Sequence, residues 1–65
     1  MKATADQLKD IEKRMWEWAT WSEEDERKYD AWADSLTPER ASIILDGFYA
    51  GEEIAPKLWD EIDKF

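Results

Sequence analysis

Residues 35–51 read SLTPERASIILDGFYAG and contain one helix with both of its ends marked. Thr37 can cap the free amides of a first turn. Pro38 then takes the first helical position, where its missing N–H costs nothing. Ala41, Ile44, Leu45 and Phe48 recur at helical spacing and define one apolar stripe. Gly51 is a natural stop, because it accepts the left-handed backbone that ends many helices. Punctuation and periodicity agree, which is the pattern of a helix folded against a core.

The same grammar extends in both directions. Upstream, Thr4-x-x-Gln7 is a capping box, and Leu8, Ile11, Met15 and Trp18 follow at helical spacing. This predicts a first helix from Thr4 to about Thr20, with Asp10 and Arg14 set for an i,i+4 ion pair. Ser22-x-x-Asp25 predicts a second N-cap, with Glu23, Glu24 and Asp25 in a first turn where the helix dipole favours negative charge. Tyr29, Trp32, Ala33 and Leu36 form its stripe, and the helix should run from Glu23 to about Ser35. Downstream, Pro56 predicts a last, short helix bearing Leu58, Trp59, Ile62 and Phe65. So short a helix does not hold alone and must dock on the others. No stretch alternates as a strand would. The expected fold is all-α: a single domain spanning residues 1–65, in a small compact bundle of three helices plus a short C-terminal helix.

Composition limits what such a domain can do. A chain of 65 residues has a core worth only about 3–5 kcal/mol. It contains no cysteine and no histidine, which removes disulfides, the usual zinc ligands and the commonest catalytic nucleophile and acid–base groups. Ser22, Ser35 and Ser42 lie outside any nucleophile-elbow context, and there is no glycine-rich phosphate loop. The run Glu23-Glu24-Asp25-Glu26 lacks the alternating ligands and central glycine of a calcium loop. The expectation is a non-enzyme without cofactor or metal. No segment approaches the length of a membrane span, and Met1 to Asp6 lack the apolar run of a signal peptide. A cytoplasmic protein, in a host bacterial cell, is expected.

Charge then points to a partner. The chain carries 17 acidic and nine basic residues, a net charge of −8. Residues 1–16 are slightly basic, at +1, whereas residues 17–65 hold 14 acids against five bases. Direct contact with nucleic acid or an anionic membrane is disfavoured, and a protein with a basic surface is favoured. Glu23, Glu26, Asp30 and Asp34, spaced three, four and four apart, line one face of the second helix. Such a row imitates a phosphate backbone and suits a Lys/Arg groove built for DNA or RNA. The competing reading is a plain solvated face opposite Tyr29 and Trp32.

Two apolar features offer a different kind of contact. Trp16 lies about 160° around its helix from Trp18, and Trp21 falls in the turn that follows. Either is a candidate exposed anchor, since tryptophan is enriched at binding hot spots; the competing reading is that a tiny bundle wraps a broad apolar face and covers both. Trp18, Trp32 and Trp59 read as core. Ile43 points away from the third helix's stripe, with Gly47 and Ala50 on the same side. That surface suits close approach by a helix, either the protein's own last one or one from a second copy or partner. A helical regulatory adaptor or antitoxin-like protein docking through Trp16, Trp21 and Ile43 is the alternative function. The expected state is a monomer or weak homodimer.

Ser35-Leu36-Thr37-Pro38-Glu39, the amphipathic turns to Phe48 and then Gly51-Glu52-Glu53 resemble the middle of small helical anti-CRISPR proteins directed at type I-E Cascade. Those proteins are likewise short, acidic and phage-borne. The Trp-rich helix upstream and the acids after Ser22 are loosely similar, so the resemblance covers residues 16–57. The basic N-terminal segment and the last Trp-bearing helix lie outside it. The resemblance implies a phage-type inhibitor whose carboxylates act as a DNA mimic. They would occupy the basic site of a CRISPR effector that reads the protospacer-adjacent motif, with the acids after Ser22 as the candidates. No individual contact residue is carried over from it.

Overall fold

Each predicted cap is made in the computed structural model, which describes residues 1–16 and 21–65. Thr4 Oγ1 accepts from the Gln7 amide at 3.2 Å, and Gln7 Oε1 accepts from the Thr4 amide at 3.0 Å. α1, Ala5–Trp16, starts there. The predicted continuation of this helix to Thr20, with Trp18 in its stripe, lies outside the described residues. Ser22 and Asp25 exchange the same reciprocal pair of bonds, both 3.2 Å, at the head of α2, Glu23–Asp34. Thr37 Oγ1 accepts from the Arg40 amide at 3.2 Å and opens α3, Pro38–Tyr49.

α3 ends as its glycine requires. Gly51 has φ +79°. Its N–H donates to the Phe48 carbonyl at 3.0 Å, and the Glu52 N–H donates to the Gly47 carbonyl at 3.0 Å. These two bonds are those of a Schellman motif, which satisfies carbonyls the helix leaves free. The chain then folds back over α3. A Cβ on Gly47 would lie 3.0 Å from Ile54 Cδ1 and 3.2 Å from Glu52 Oε2. A mid-helix glycine costs about 1 kcal/mol against alanine, and here its absent side chain is the space that Ile54 occupies.

α4, Ala55–Lys64, begins one residue before the expected Pro56. Ile54 offers it no side-chain cap. The start is held by packing instead: Ala55 is fully buried, with Leu58 and Ile62 behind it.

The four helices enclose one core, a compact all-helical globule. α1 packs along α3 and α2 against α4. The Gln7 side chain also joins α1 to α3, because Nε2 donates to the Pro38 carbonyl at 3.3 Å and to Ser42 Oγ at 3.2 Å. The Ala3 N–H donates to the Leu36 carbonyl at 2.9 Å and ties the N-terminus to the α2–α3 link. Trp32, 1% exposed, is the largest fully buried side chain among the described residues. Its indole N–H donates to Glu61 Oε1 at 3.2 Å, while Arg40 Nη2 reaches Glu61 Oε2 at 3.1 Å. One carboxylate therefore links α2, α3 and α4. No helix among the described residues is long and apolar enough to cross a membrane.

Trp32→Ala deletes this anchor at a cost of about 3–5 kcal/mol, comparable to all that so small a core supplies. The variant is expected to be unfolded at room temperature by far-UV circular dichroism. Trp32→Phe, which keeps most of the volume and loses the indole bond, is expected to stay folded with a lower urea midpoint. A cooperative melt of Trp32→Ala near the wild-type temperature would contradict this account.

Candidate functional site

α2 carries its acids where local electrostatics tolerate them. Glu23, Glu24, Asp25 and Glu26 occupy the first turn, facing the positive end of the helix dipole. Beyond that turn the repulsion is not relieved by Lys28, which points elsewhere. Its ammonium lies 3.8 Å from Glu24 and 3.7 Å from Asp63 of α4. Glu23, Glu26 and Asp30 are exposed and make no ion pair among the described residues. Asp34 does, with Lys2, so the far end of the row is partly neutralised.

The row is not opposite the core. At 100° per residue its centre lies about 110° from that of Tyr29, Trp32 and Ala33. This places it along the edge of α2 that borders α1. Asp30 and Asp34 line a groove of about 410 Å³ between the two helices, with Leu8, Tyr29 and Ala33 among its apolar walls. α1 contributes Glu12 and Lys9 to the same groove. Tyr29 is 3% exposed, and its hydroxyl donates to the Leu8 carbonyl at 3.4 Å. Burial, with the charges of Glu12 and Asp30 adding to it, pushes the Tyr29 phenol well above its ordinary range. Glu12 thus joins the row from a second helix. The sequence held a signal for it, since Glu12 is four residues past Leu8 and must share that residue's side of α1. Among the described residues no three carboxylates converge as a metal site would require; they are strung out as a row.

Of the two candidate anchors, the structure covers Trp21. It is 9% exposed, stacked on Trp16 at 4.3 Å and 12°. It also meets Tyr29 at 4.8 Å and the edge of Trp59 at 5.0 Å. A turn residue ends up inside because three aromatic rings from α1, α2 and α4 enclose it. Trp21 Nε1 and Trp59 Nε1 are buried with no hydrogen-bond partner among the described residues. Trp16 does face solvent on one side, at 41% exposure. It is four residues beyond Glu12, on the same flank of α1, so the half-exposed indole continues the acidic edge. The structure thereby brings Trp16 to the side of the molecule that bears Glu12 and Asp30. Ile43 is elsewhere, 63% exposed on the rim of a separate groove between α3 and α4.

A cluster the sequence reading did not assemble joins α1 to the end of α3. The Tyr49 hydroxyl donates to Asp10. Arg14 holds the same carboxylate at 3.2 Å and lies 4.6 Å over the Tyr49 ring. The i,i+4 pair was legible; its aromatic lid, Tyr49, 39 residues from Asp10 along the chain, was not. Arg14 is therefore committed to packing within the fold. No family model, curated protein or solved structure matches the chain.

The Asp10–Tyr49 bond has a pH signature. The Tyr49 hydrogen bond first, and Arg14 second, hold the Asp10 carboxyl below its ordinary 3.8. The native state then favours the ionised form. Its contribution to stability is complete above pH 3.8 and is lost as pH falls through the lower folded value. The Tyr49 phenol is raised above 10.0, chiefly by the same bond, so its contribution holds below that value and is lost as pH climbs through the folded one. Tyr49→Phe is expected to move the Asp10 titration, followed by NMR at its carboxyl carbon, back toward 3.8. An unmoved Asp10 midpoint would mean that the bond is not populated in solution.

Proposed function

We propose that this domain is an inhibitory binding protein of the phage type, in the manner the anti-CRISPR resemblance implies. Its carboxylates occupy a basic nucleic-acid-binding site on a protein target such as a CRISPR effector, as a DNA mimic. The observation that carries this reading is the row Glu23, Glu26 and Asp30, exposed and in no ion pair among the described residues, and extended by half-buried Glu12. An acidic edge on a molecule of net charge −8 repels nucleic acid and accelerates encounter with a Lys/Arg groove. A row of fixed carboxylates on one rigid helix also presents charges at regular intervals, as a strand of phosphates does.

The adaptor reading keeps one observation of its own. Trp16 is half-exposed beside the acidic edge, where it suits an apolar anchor at the margin of the same contact. The two readings differ in their response to salt. Charge recognition is screened, whereas burial of an indole is not.

The test is affinity capture from a bacterial lysate at low and high salt, with duplex DNA as competitor. Wild type is expected to retain a nucleic-acid-binding protein at about 0.05 M ionic strength and release it at about 0.5 M. DNA should displace it. The triple variant Glu23→Lys, Glu26→Lys, Asp30→Lys should bind on the order of a hundredfold more weakly, at about 1 kcal/mol for each reversed charge. A partner held through high salt and by the triple variant, but lost on Trp16→Ala, would overturn mimicry in favour of the adaptor.

A further inference from the structure

The return of the chain over Gly47 sets α4 antiparallel to α3 and leaves a groove of about 190 Å³ between them. Its floor is Ile44, Ile54 and Leu58. Ile43 stands on its rim, 63% exposed. The groove is also an electrostatic exception. The molecule as a whole carries −8, yet Arg40 and Lys57 on this rim balance Glu52 and Glu61. Arg40 and Glu61 are paired at one end. Lys57 and Glu52 border the other end and make no ion pair among the described residues.

We infer that this groove is the contact face of a weak twofold homodimer, with Ile43 of each copy seated in the groove of the other. Charge decides the occupant. A basic partner gains nothing at a locally neutral surface and is drawn to the α2 edge instead. A second copy is repelled by every strongly acidic face and is admitted where the signs cancel. Under a twofold axis the Arg40/Glu61 end of one copy meets the Lys57/Glu52 end of the other. Both signs are present at each end, so no like-charge confrontation is forced. The contact also adds apolar burial to a chain whose own core is small. A weak dimer of this kind is expected to have a Kd on the order of 0.1 mM.

Sedimentation velocity on the full chain, over protein concentrations from about 0.01 to 1 mM, tests this. Wild type is expected to shift from monomer to dimer, and to do so at lower concentration when salt is raised, because salt screens the repulsion between two acidic bodies. That sign is opposite to the one expected at the α2 edge, so failure here and failure of mimicry are distinguishable. Ile43→Glu should remain monomeric throughout with an unchanged helical circular dichroism spectrum. Lys57→Glu, which upsets the charge balance and deletes nothing apolar, should weaken the dimer about tenfold at low salt and recover at high salt. A wild type that stays monomeric at every concentration and salt overturns the proposal. So does a dimer indifferent to Ile43→Glu, which would be built on another face.

Discussion

The Trp32 indole and the Glu61 carboxylate form the constraint on which the other contacts rest. Trp32 fills the centre of the core, and its one polar atom is satisfied by a carboxylate that also holds Arg40. That arrangement fixes α2, α3 and α4 about a single point. α1 is then added by lateral contacts: Gln7 to the start of α3, the Asp10–Tyr49–Arg14 cluster to its end, and Ala3 to the link before it. A domain with so little apolar area cannot afford a loosely oriented helix. The polar bonds at its edges supply direction, and burial supplies the energy.

The position of the acidic edge follows from this packing. Tyr29, Trp32 and Ala33 turn inward, and Lys28 is drawn across to Asp63 on α4. What remains on the side toward α1 is Glu23, Glu26 and Asp30. Their repulsion is a small standing cost, eased at the N-terminus by the helix dipole and at the far end by Lys2. Arg27, between Glu26 and Asp30 in sequence, makes no ion pair with them among the described residues.

What the sequence disclosed and what it withheld divide along a physical line. Helix starts at Thr4, Ser22 and Thr37 and the stop at Gly51 were legible because a cap is a local bond between residues three apart. The start of α4 was misplaced by one residue because no side chain caps it and buried Ala55, a tertiary fact, sets it. Whether Trp21 was exposed or covered was not legible for the same reason: its surroundings come from three separate elements. On the site, the spacing of Glu23, Glu26, Asp30 and Asp34 gave the row but not its bearing. Only the packing of α1 beside α2 turned it into the border of a groove and added Glu12 and Trp16.

Gln7 performs two tasks with one side chain. Its oxygen completes the cap of α1, and its nitrogen donates into the first turn of α3. A glutamate would cap the helix equally well and would have no hydrogen to give to Pro38 or Ser42. With glutamine, the end of α1 cannot fray without releasing α3 as well. Helix termini ordinarily open on their own, with almost no free-energy cost. Here the amide proton of Thr4 is held by the oxygen of that shared side chain, so its exchange with solvent becomes tied to the opening of the α1–α3 pair. The first turn of this protein belongs to a cooperative unit from which most first turns are excluded.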